Sequence, residues 1–123
     1  MFRKVAFTLY PVQDPKRARA FYEDTLGLKR GSGSPDGTWT EYDLPGGGCV
    51  GLFATKDIKP SADSGGSVAF EVEDLDALNA RLKGLGVTYR ADMVDTPVCR
   101  MSIILDSEGN ALILHQLKRK QAR

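Results

Sequence analysis

Histidine is almost absent from this chain: His115 stands alone among 123 residues. A site built from several imidazoles of one copy is therefore excluded. Cysteine is nearly as scarce. Cys49 and Cys99 lie far apart and form no Cys-x-x-Cys pair, so no zinc knuckle or dithiol motif is present, and both read as reduced thiols. Charge of one sign is lacking too. Seventeen Lys and Arg face sixteen Asp and Glu, a net charge of +1, which leaves no electrostatic footprint for nucleic acid. Only Lys118-Arg119-Lys120-Gln121-Ala122-Arg123 is locally basic, and it reads as a solvated terminus. No apolar run approaches the ~20 residues of a membrane span. Met1-Phe2-Arg3-Lys4-Val5 opens no apolar stretch of the kind export requires, so the expected location is cytoplasmic.

What is present is a sequence written twice, with an offset of about 60 residues. Val12-Gln13-Asp14 precedes a helical pattern ending at Gly27, and Val72-Glu73-Asp74 precedes another ending at Gly86. Asp14 suits the N-cap and Pro15 the first helical position. Ala18, Phe21, Tyr22, Thr25 and Leu26 then share one helical face. Asp74 caps the second helix, whose stripe is Leu75, Leu78, Leu82 and Leu85. Strands are predicted before each helix, over 4–10 and 67–72. Three more follow each helix: 28–30, 38–44 and 49–54, then 87–94, 99–105 and 111–117. Turn residues separate them, as in Ser34-Pro35-Asp36-Gly37, Pro45-Gly46-Gly47-Gly48 and Asp106-Ser107-Glu108-Gly109-Asn110. The triple glycine lacks a following Lys-Ser/Thr and helix, so it reads as a hairpin turn and not a phosphate cradle.

The expected fold is thus α+β: one domain of two βαβββ modules, about 1–55 and 67–117, joined by a linker over 56–66. A pseudo-two-fold would relate the modules and form a cupped, open, barrel-like sheet, a shape whose mouth commonly holds a site.

These residues resemble a known superfamily. The run from Asp14 to Leu28, with Asp-Pro, Phe21-Tyr22 and Leu26-Gly27-Leu28, is similar to the first-helix motif of the vicinal oxygen chelate proteins, which include glyoxalases, bleomycin resistance proteins and extradiol dioxygenases. Val68 to Asp74 is similar to the strand that opens their second half. Asp106 to Asn110 looks like their last hairpin, with Ser107 where proline is usual. The resemblance implies small-molecule binding and a homodimer, and in many members metal-dependent isomerase, lyase or dioxygenase chemistry. Fold alone does not choose among these.

In metal-binding members a His lies about seven residues before the Asp cap and a Glu about four after the hairpin Gly. Here those positions are Phe7 (or, in another alignment, Lys4) and Ser67, with Ile113 and, by the offset, Leu52. No anionic ligand remains, so no cofactor is expected. A divalent metal would need a different set, drawn from His115, Glu41, Glu71 and Asp43 or from a partner copy.

Strand alternation suggests which side chains share the cup. Cys99, Met101, Ile103 and Leu105 are wholly apolar and should pack under the helices, leaving Arg100 and Ser102 in the cup with Trp39 and Glu41. Ile113 and His115 share a face of the last strand. The expected pocket is Phe7, Trp39, Glu41, Leu52, Ser67, Arg100, Ser102, Ile113 and His115. Within it His115, Glu41 and Arg100 are the catalytic candidates. His115 has the side chain that titrates between pH 5 and 8, or it is a rim histidine bonded to backbone or water. Glu41 is a base or ligand, and Arg100 a carboxylate or phosphate clamp, unless the two form a cross-strand pair. Trp39 stacks on a flat ligand or only packs, and Tyr10 and Tyr42 carry the same two readings. Cys99 reads as a buried, inert thiol. The functional expectation is a cup that binds a small organic molecule without the usual metal. The alternatives are a metal-dependent lyase, isomerase or dioxygenase with a non-standard ligand set, and an antibiotic-sequestering resistance protein. The last would have to work without the acidic excess of bleomycin binders.

Overall fold

The computed structural model describes residues 1–118. The basic tail from Arg119 onward lies outside the described residues; Lys118 is paired with Asp95 at 2.6 Å. The chain divides into two compact units, Met1–Ser61 and Ala62–Arg123.

The first unit runs β1 (Thr8–Val12), α1 (Pro15–Ala20), a π-helical turn (Phe21–Thr25), β2 (Arg30–Gly33), β3 (Trp39–Asp43) and β4 (Cys49–Ala54). The second runs β5 (Val68–Glu71), α2 (Leu75–Gly84), β6 (Tyr89–Asp95), β7 (Cys99–Leu105) and β8 (Ala111–Leu117). Each unit is βαβββ, and each forms one open, four-stranded mixed sheet that does not close into a barrel. The orders are β1-β4-β3-β2 and β5-β8-β7-β6, with the first strand of each unit parallel to the last.

The helices begin where their caps require. Asp14 Oδ1 accepts the Arg17 amide and Asp74 Oδ1 the Ala77 amide, each at 3.1 Å. Gly27 and Gly86 end them at φ +80° and +79°, where a side chain would be strained. The first helix departs from the expected regular coil. After six α residues it widens, and the Leu26 amide reaches the Phe21 carbonyl at 2.9 Å. Strand β1 starts four residues later than expected and runs through Pro11, because its ladder partners on β4 begin at Val50. As an edge strand it tolerates a residue that donates no bond.

In the first unit the helix-covered face carries Tyr10, Val12, Tyr42, Val50 and Leu52, all buried with Ala18 and Tyr22. Burying an aliphatic or aromatic side chain of this size contributes roughly 1.5–3 kcal/mol. Tyr22 and Tyr42 stack at 5.8 Å. The Tyr42 hydroxyl donates to Glu23 at 2.8 Å, and Arg30 clamps the same carboxylate at 2.7 and 3.0 Å. Burial, then the bond to Glu23, pushes the Tyr42 phenol well above its ordinary value, so it stays a donor. Tyr10 and Tyr42 are therefore core residues.

In the second unit Phe70, Leu75, Leu82, Ile104, Leu112 and Leu114 fill the corresponding core. The β7–β8 hairpin closes on its own polar residues. Asp106 Oδ1 accepts the amides of Glu108 and Asn110 at 2.8 and 2.9 Å, and Gly109 sits at φ +95°. The triple glycine forms the matching turn between β3 and β4.

Candidate functional site

The face of the first sheet opposite its helix presents Leu9, Trp39, Glu41, Gly51 and Phe53. Trp39 lies flat against the backbone of Gly51. A Cβ built there would meet the indole Cη2 at 2.4 Å and Cζ2 at 2.6 Å, which leaves room for glycine alone. Phe7 meets the indole edge-on at 5.3 Å and Phe53 flanks it at 6.1 Å. The indole N–H donates to Glu41 Oε2 at 2.7 Å, which fixes ring and carboxylate together. Trp39, Glu41 and Phe53 remain partly exposed and Phe7 is exposed, so this aromatic shelf is open to a ligand.

Leu52, expected beside Trp39, is instead opposite Thr40 on the helix-covered face and is 2% exposed. The ladders explain the error. Thr40 faces Leu52 as Ser102 faces Leu114, an offset of 62, so Gly51 is the equivalent of Ile113. A slip of one residue moves a whole strand to the wrong face.

The face of β7, read from its apolar set, is inverted as well. Arg100 and Ser102 point to the helix, and Met101 and Ile103 to the open face. Arg100 forms a two-pronged pair with Asp76 of α2, which is its partner in place of Glu41. Ser102 is fully buried and accepts from Asn79 Nδ2 at 2.9 Å, while Tyr89 donates to Asn79 Oδ1 at 2.7 Å. Polar residues therefore pack inward because α2 supplies their partners, and neither Arg100 nor Ser102 lies on the open face.

Ile113 and His115 do share the open face of the second sheet, with Ala69, Met101 and Ile103 as register partners. His115 Nδ1 meets Glu71 Oε1 at 2.5 Å, and the Leu117 amide donates to Glu71 Oε2 at 2.9 Å. Ser67 is exposed just before β5. Cys99 is buried, its sulfur 3.2 Å from the Thr96 hydroxyl. Burial, then the nearby Glu41 and Asp43 carboxylates, pushes the Cys49 thiol up and away from thiolate chemistry.

The metal positions of the resemblance hold Phe7, Ser67, Ile113 and, in the corrected register, Gly51. None offers an imidazole or carboxylate, so these residues do not fit a divalent cation. Among the described residues no three His, Cys, Asp or Glu side chains gather as a metal would require. Sequence reasoning missed Phe53 and Gly51, which the strict alternation of β4 against Trp39 would have found. It also missed a hollow of about 430 Å³ lined by Gln13, Ala54, Thr55, Lys56, Ile58 and Lys59, half of them in the stretch read as linker. No described helix is long and apolar enough to cross a membrane.

A duplicated βαβββ unit with an open sheet face defines a glyoxalase-type fold. The family model of the Glyoxalase/Bleomycin resistance protein/Dioxygenase superfamily matches residues 4–114, and the chain belongs to that superfamily. Solved structures agree in fold. A glyoxalase/dioxygenase from Nostoc punctiforme superposes with a TM-score of 0.79 at 18% identity, covering 95% of this chain and 92% of that one. TnmS3, an antibiotic binding protein from Streptomyces sp. CB03234, gives 0.73 at 23% identity over 96% and 100%. FosX, a fosfomycin resistance protein from Listeria monocytogenes, gives 0.72 at 16% identity over 94% of each chain. No curated protein matches the sequence.

Proposed function

We propose that this protein binds a flat, largely apolar organic molecule against the shelf of Phe7, Trp39 and Phe53, without a metal, in the manner of an antibiotic-binding member of its superfamily. The observation that carries the reading is Trp39, held flat over Gly51 by its bond to Glu41 yet still partly exposed. A ring fixed in this way offers a stacking surface with little conformational entropy left to lose. The Glu41 carboxylate at its edge would accept from an amine or hydroxyl on the ligand. An antibiotic-binding protein and a resistance protein among the fold relatives support the ligand class.

Trp39 is the only tryptophan, so intrinsic fluorescence reports on the shelf alone. Titration with proflavine, a flat ring system with amino donors, is expected to quench it saturably and more tightly than unsubstituted acridine. Trp39→Ala should weaken calorimetric binding of proflavine by about tenfold, the scale of one lost stacking contact. Quenching that never saturates, or binding indifferent to Trp39→Ala, refutes the reading. The exposed edge strand β2 supports pairing of two copies, and light scattering is expected at twice the 13.4 kDa chain mass.

A further inference from the structure

We propose that His115 and Glu71 form a proton-accepting dyad on the second sheet that takes a weakly acidic hydroxyl, a phenol or enol, carried on an apolar skeleton. All of its residues belong to the second unit, and it does not rest on the Trp39 shelf.

The geometry fixes the tautomer. Glu71 Oε2 is engaged by the Leu117 amide, which can only donate, so this oxygen is an acceptor in place. Its other oxygen lies 2.5 Å from His115 Nδ1. A carboxylate accepts and does not donate, so Nδ1 carries a proton, and in the neutral ring the lone pair is then on Nε2. The pairing is built into the ladder. Glu71 and His115 are register partners on parallel strands, and the Val72 amide donates to the His115 carbonyl at 2.8 Å.

The surroundings define the ligand. Met101 of β7 is the cross-strand partner of His115, and Ile113, Ile103 and Ala69 continue the same face. Of the other charged groups on the sheet, Arg100 of β7 is turned to the helix face and engaged by Asp76, and on β6 Arg90 pairs with Asp63, Asp92 with Lys83 and Asp95 with Lys118. Glu71 is the charge that meets the imidazole. An anion would be repelled by Glu71 and an ammonium would be desolvated against Ile and Met side chains. A neutral hydroxyl suffers neither penalty. When it binds, its O–H bond breaks, the proton forms an N–H bond at Nε2, and the electron pair stays on the ligand oxygen. The resulting imidazolium lies between the phenolate and Glu71, and no other reactant is needed.

The probe is 4-nitrophenol, whose phenolate has its own long-wavelength absorption band, compared with 4-nitroanisole, which has no proton to give. Untagged protein should bind the phenol with growth of the phenolate band and bind the ether at least about tenfold more weakly. His115→Gln should abolish the band. Glu71→Gln should abolish it as well while the protein stays folded. The Gln carbonyl must face the Leu117 amide, which turns its NH2 toward Nδ1 and leaves the proton on Nε2. Nitrogen NMR of the sole imidazole gives a second readout independent of any variant: the neutral ring should carry its proton on Nδ1. A proton found on Nε2, equal binding of phenol and ether, absence of phenol binding, or a phenolate band that survives either substitution would each overturn the proposal.

Discussion

Replacing Gly51 by alanine tests the arrangement on which the proposed binding surface depends. The added methyl carbon would stand 2.4, 2.6 and 3.2 Å from indole Cη2, Cζ2 and Cζ3. Carbon atoms in contact settle at ~3.5–4.0 Å, so the ring must move by more than about 1 Å. It is not free to do so in place, because Glu41 holds the indole nitrogen and Phe7 and Phe53 flank the ring. The ring must swing off the sheet, giving up its bond to Glu41 and its contact with β4. Overpacking of this kind costs about 1–3 kcal/mol, and a lost bond to a charged group is of similar size, so a drop of about 2 kcal/mol is expected. Urea unfolding followed by Trp39 emission should show a lower midpoint with an unchanged slope, and the native emission should shift to the red. In a Trp39→Ala background, followed by circular dichroism, the same Gly51→Ala change should be nearly neutral, giving a coupling close to the full effect. Unchanged native emission and an unchanged midpoint in the single variant would show that the indole does not rest on Gly51.

Two further substitutions probe the cores. Ser102→Ala removes the acceptor of a buried Asn79 amide and is expected to cost about 1–3 kcal/mol by urea unfolding; a neutral result would contradict the Asn79 network. Glu23→Gln tests pH dependence. The Arg30 guanidinium first, and the Tyr42 hydroxyl with it, hold the Glu23 carboxyl below its ordinary value of 4.5 against the opposing effect of burial. Its stabilisation is therefore fully present above about pH 4.5 and fades as the pH falls through the lower folded value. The pair is partly exposed, so the variant should lose about 1 kcal/mol or less near neutrality, with the gap closing in acid. A gap that widens in acid would reverse the sign.

The order of elements was legible because its signals are local. Asp14 and Asp74 cap, Gly27 and Gly86 terminate, and Asp106 with Gly109 turns the last hairpin. The faces of the strands were harder. On β7 the apolar set Cys99, Met101, Ile103 and Leu105 looks like the buried side. Yet α2 brings Asp76 to Arg100 and Asn79 to Ser102, whose hydroxyl also donates to the Asp92 carbonyl, so the polar set points inward. Burial there follows the partner and not the side chain's own polarity, and one strand does not carry that information. The dyad of His115 with Glu71 was hidden for a related reason. The two residues are neighbours only through a parallel ladder, which joins positions far apart in the chain.

That parallel ladder also bears on how the chain folds. In each unit the first strand must wait for the last, because Thr8 meets Val50 and Val68 meets Leu112, a closure of about forty residues. The antiparallel hairpins β3–β4 and β7–β8 need only short turns and can form early. Non-local pairing of this kind slows folding, so β1 and β5 are the strands that dock late, and substitutions in them should speed unfolding more than they slow folding.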